Sequence, residues 1–71
     1  MALRLRVKEV AEAKGFNIST LSRKADVGIS TVRRLWHEPK RNVDFYVLER
    51  IARALEVPAT DLIEDVPDEK A

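Results

Sequence analysis

Seventy-one residues make one domain at most, and so small an apolar interior implies a stability of roughly 3–5 kcal/mol. With no cysteine and one histidine, His37, the chain has no disulfide framework, thiolate metal site, zinc site or His-based triad to offer, and neither metal nor cofactor is expected. The net charge of +1 hides an asymmetry: residues 1–53 carry twelve Lys and Arg against six Asp and Glu, net +6, while residues 54–71 carry net −5, so the basic part can face a polyanion and the acidic end would point away.

The first segment, MALRLRVKEV, alternates basic and apolar residues and has no continuous apolar stretch of the secretory kind. No run approaches the ~20 apolar residues of a membrane span, so a cytoplasmic location without membrane association is expected. Leu3, Val7, Val10 and Ala11 recur at helical spacing and predict a first helix over about 3–14, closed by Gly15. Phe16, just beyond, should fold back on the core. Asn17 suits the N-cap of a second helix over 18–25, with Leu21 and Ala25 inward. Asp26-Val27-Gly28 then leaves almost no chain before a third helix, over about 29–37. A turn this short fixes the angle between two helices, as a helix-turn-helix requires.

At about 100° per residue, Val32, Leu35 and Trp36 share one arc of the third helix. Ser30, Arg33, Arg34 and His37 fall on the opposite side, and Ile29 lies at the edge. Glu38 to Val43 is a loop, with Pro39 stopping the helix and Lys40-Arg41 at its tip. Asp44 caps a fourth helix over 45–55 whose inward set is Phe45, Leu48, Ile51, Ala52 and Leu55. Val57-Pro58 breaks it, and a short fifth helix over about 59–64 brings Leu62 inward. The tail, 65–71, lacks periodicity and predicts a flexible acidic segment after a domain spanning 1–64.

Gly15-Phe16-Asn17, Leu21-Ser22, Ala25-Asp26-Val27, Ser30-Thr31-Val32 and the segment Ile51 to Val57 resemble the Cro/cI-type (XRE-family) helix-turn-helix domain over about 3–64. The resemblance implies an all-α, compact five-helix, lambda-repressor-like fold with the helix-turn-helix formed by helices two and three. It implies a sequence-specific double-stranded DNA-binding regulator whose third helix enters the major groove. Ile29, Ser30 and Arg34 match the family's base-facing positions, and Arg33 stands beside them. Arg34 suits direct readout, because its guanidinium can pair with guanine O6 and N7 as a fork. Asn17, Ser19, Lys40 and Arg41 suit phosphate contacts, although Asn17 also reads as a cap alone and Lys40-Arg41 as an ordinary soluble loop. A homodimer, at least on DNA, is implied. Val47, Ala59, Ile63 and Val66 are either its patch or the periphery of the core.

The sequence departs from the family at four places. Ile18 stands where glutamine is frequent. Asp26 and Glu56 replace glycines and carry strain if their φ is positive. Ala11 and Trp36 replace an Arg–Glu ion pair, which reads as an apolar exchange; stacking of Trp36 on a base is the competing role. Two other functions compete with DNA binding. One is a protein-interaction module, such as an antitoxin or bridging factor, working through the C-terminal segment and able to repress its own promoter. The other is an enzyme built on Asp61, Glu64 and Asp65, which have no histidine or phosphate loop beside them, so no enzymatic activity is expected.

Overall fold

The computed structural model describes residues 2–38 and 42–66, without the side chains of Ala2 and Val66. Four α-helices pack around one core: α1 (Val7–Ala13), α2 (Ile18–Ala25), α3 (Ile29–His37) and α4 (Phe45–Leu55). The fold is mostly helical, but residues 2–5 and 63–66 form a two-stranded sheet. Strand β1 (Ala2–Leu5) lies antiparallel to β2 (Ile63–Val66), with Leu5 opposite Ile63 and Arg4 opposite Glu64.

Two expectations are therefore corrected. The first helix starts at Val7 rather than Leu3, and the fifth helix is a 3-10 turn, Ala59–Leu62, that runs into β2. Leu3, assigned to a helix face, is 65% exposed; Leu5 is buried instead. The physical cause is visible in Leu3-Arg4-Leu5-Arg6-Val7, an apolar–basic alternation of period two that suits a strand once a partner exists. That partner lies some sixty residues away, so local periodicity does not disclose it. Asp65 and Val66, assigned to the tail, are paired strand residues; 67–71 lie outside the described residues.

Charges reinforce the pairing. Arg4 bonds to Glu9 (2.6 Å) and reaches Glu64 (3.5 Å), and Arg6 lies 3.5 Å from the same carboxylate. Burial works to raise the Glu9 carboxyl. The Arg4 hydrogen bond, a backbone bond and the charges of Arg4 and Arg6 outweigh it, so its pKa is lowered. Folded Glu9 thus releases its proton more readily than unfolded Glu9. Its contribution is present above the ordinary glutamate value, about 4.3, and is lost as pH falls through the depressed folded value. Thermal melts between neutral and acid pH should show a shallower acid decline for Glu9→Gln than for the wild type; parallel curves would mean the pair adds nothing.

Three helices end in the same way. Gly15, Asp26 and Glu56 adopt left-handed φ values of 84°, 59° and 59°. In each case the next amide bonds back five residues: Phe16 to Ala11 (2.9 Å), Val27 to Ser22 (3.1 Å) and Val57 to Ala52 (3.0 Å). Each is a Schellman closure with an apolar residue following the left-handed one, and each returns the chain to the core. Aspartate tolerates this conformation better than glutamate. Glu56→Gly should therefore raise stability by about 1 kcal/mol, read from urea unfolding midpoints at constant m-value.

The core consists of Leu5, Val7, Ala11, Leu21, Ala25, Val27, Val32, Leu35, Trp36, Leu48, Ile51, Ala52, Ala54, Leu55 and Leu62. Most of the expected inward residues are there, but Phe45 is 80% exposed. It opens α4, and a side chain in the first turn leans back past the helix start.

Candidate nucleic-acid interface

The helix-turn-helix is built from α2, a three-residue turn and α3. Asn17 caps α2 by accepting from the Thr20 amide (2.8 Å), and the Thr20 hydroxyl accepts from the Asn17 amide (2.9 Å). This reciprocal box settles why α2 begins where it does. The cap occupies the Asn17 side-chain oxygen, while its amide nitrogen has no hydrogen-bond partner among the described residues, so capping and anion contact are compatible. Ser19 is exposed on the same first turn. At the other end, Ser22 Oγ donates to the Val27 carbonyl (2.6 Å) across the turn.

Gly28 opens α3, which is held by Val32, Leu35 and Trp36, respectively 0, 3 and 8% exposed. Trp36 is therefore a core residue, and base stacking is not its role in this fold. Ala11, wholly buried, belongs to the same core. Both positions are thus buried and apolar, and α1 and α3 are in contact.

The opposite side of α3 is polar and exposed. Ser30, Arg33 and Arg34 line one shallow recess together with His37 and Glu38. Ile29 stands at its start, 43% exposed. His37 joins the base-facing candidates here; its place on the outward arc already signalled it. Lys40 and Arg41 lie outside the described residues. Val47, Ala59 and Ile63 are partly buried against the core, and the Val66 side chain lies outside the described residues.

One residue escaped the sequence reading apart from its charge. Arg50, on α4, reaches the end of α2 and bonds to the Ala25 carbonyl and the Asp26 carboxylate. Its spacing of four from Tyr46 was the available local signal, since the two share a helix face.

Among the described residues there is no cluster of His, Asp and Glu able to hold a metal ion, and no helix long and apolar enough to cross a membrane. No curated protein matches the chain. The family of Cro/C1-type HTH DNA-binding domains matches residues 6–68. With that match joined to a short-turn helix pair carrying a basic outward face, the chain belongs to the Cro/C1-type HTH DNA-binding domain family, whose members are DNA-binding regulators of transcription.

Proposed function

We propose that this protein recognises a specific double-stranded DNA sequence by inserting α3 into the major groove. The observation that carries this reading is the division of α3 into two faces. Val32, Leu35 and Trp36 are buried, which leaves Ser30, Arg33, Arg34 and His37 exposed along the other side. A helix so anchored cannot roll, so its outward residues meet a groove in one register. Arg34 reads guanine, Ser30 contacts a base edge with little selectivity, Ile29 touches a thymine methyl, and Arg33 bonds to a base or phosphate. Asn17 and Ser19, with the amides that open α2, bond to one phosphate run. Lys40 and Arg41 bond to another, and these contacts set register and salt dependence.

One such domain covers too little DNA for tight binding, so two copies act on half-sites about 34 Å apart. The outer surfaces of Val47, Ala59 and Ile63, with Val66, are the patch offered to the second copy. Residues 1–64 form the binding unit, with the acidic segment 65–71 outside it.

Selection of bound duplexes from a random pool tests the proposal. A two-fold symmetric consensus with half-sites at that spacing is expected, and recovery of no enriched sequence would remove specific recognition. A role as antitoxin or bridging factor draws on residues 57–71. Much of that segment is already engaged in the 3-10 turn and in β2 against β1, which favours DNA as the main partner.

A further inference from the structure

Arg50 belongs neither to the core nor to the outward face of α3, yet it makes the most connections of any side chain near the turn. Its Nε donates to the Ala25 carbonyl (3.2 Å), and its Nη2 donates to the Asp26 carboxylate (2.9 Å). Nη1 donates to the Tyr46 hydroxyl, and the guanidinium carbon lies 5.1 Å from the Tyr46 ring centroid. Ala25 is the last residue of α2, and Asp26 is the left-handed residue that turns the chain toward α3.

The Schellman bonds at this end use the Ser22 and Arg23 carbonyls and leave that of Ala25 to another donor. Arg50 supplies the donor from a third helix. The turn is thereby tied to α4 on one side, while Ser22 ties it to α2 through the Val27 carbonyl on the other. Three residues separate α2 from α3, and two of them are held by side chains. Lysine cannot replace this arrangement, because a single ammonium lacks the planar fork that meets a carbonyl, a carboxylate and a hydroxyl together.

We propose that Arg50 is a positioning residue that fixes the angle at which α3 is presented to DNA, acting through the Ala25 carbonyl and Asp26. The inference deepens the reading of α3 as the recognition helix and rests on it. Arg50→Lys keeps the charge, so binding that depends on charge alone should not change. The duplex selected by the wild type from a random pool should bind about tenfold more weakly, roughly what the loss of one charge-assisted hydrogen bond brings. A scrambled duplex of equal length should bind as before, with the same salt slope.

In the free protein, residual dipolar couplings should show α3 rotated relative to α1 and α4. Asp26→Asn, which keeps a residue tolerant of positive φ, should shift the α3 couplings in the same direction by less, and those couplings decide the matter if Arg50→Lys does not fold. All comparisons are made at a temperature where circular dichroism shows each variant folded. Unchanged α3 couplings overturn the proposal. So does an equal loss on selected and scrambled DNA. If the wild type enriches no sequence, specific recognition fails by itself, and the couplings still decide whether Arg50 sets the angle.

Discussion

Trp36→Ala should leave much of the protein unfolded at 25 °C. The indole is 8% exposed and is the largest side chain of the core. Truncating a buried Phe or Trp to alanine costs about 3–5 kcal/mol, from lost transfer energy and the cavity left behind. A single small core supplies roughly that much in total. The effect is large here because α3 is held by only three buried side chains, Val32, Leu35 and Trp36. Removing one frees the element that carries the proposed contacts. Trp36→Phe, which keeps an aromatic ring in the site, should lose about 1–2 kcal/mol and remain folded. Urea unfolding followed by far-ultraviolet circular dichroism measures both, and in the wild type the sole tryptophan should report the same transition by a red shift of its emission. An alanine variant with a wild-type midpoint would mean that the indole adds nothing to the core.

Arg34→Ala should lose discrimination at one base pair of each half-site. A bidentate Arg–guanine pair is worth about 1–3 kcal/mol, so the preference for guanine there should fall by roughly 5- to 150-fold. Arg34 is exposed, and no hydrogen bond or ion pair among the described residues engages its guanidinium, so little of this loss should come from unfolding. Lys40→Ala should behave differently. It should weaken all duplexes alike and reduce the salt slope by about one, because a phosphate contact carries no base preference. Fluorescence anisotropy on the selected duplex and its single-base variants, repeated over a range of salt, separates the two behaviours. Sequence-independent losses of equal size from both variants would sink the assignment of Arg34 to base readout.

The two arginines of the proposals differ in how far the sequence discloses them. Arg34 sits opposite Val32, Leu35 and Trp36 on the same nine-residue helix, so its exposure follows from helical geometry. Arg50 is disclosed only in part: its spacing from Tyr46 is local, but the Ala25 carbonyl and Asp26 carboxylate that it holds lie 25 and 24 residues earlier in the chain. A helical wheel places it on the polar side of α4 and stops there. His37 lies between these cases: its arc was legible, while its share in one recess with Ser30 and Arg34 required coordinates.

Local chemistry determined the bounds of α2, α3 and α4. A capping asparagine, a three-residue turn, a glycine start and a capping aspartate are interactions spanning four residues or fewer, and such signals survive in any tertiary setting. The turn and the buried face of α3 were readable for the same reason, and the family from the motifs between Gly15 and Val57 that resemble it. The chain ends were not. Leu3 to Val7 satisfies both helical and strand spacing in part, and the choice between them belongs to residues 63–66, which complete the ladder. Only the folded chain brings Arg4 to Glu64, turns the expected fifth helix into a 3-10 turn and strand, and exposes Phe45. Pairing across sixty residues and the reach of neighbouring helices are properties of the assembled core, and no window of sequence contains them.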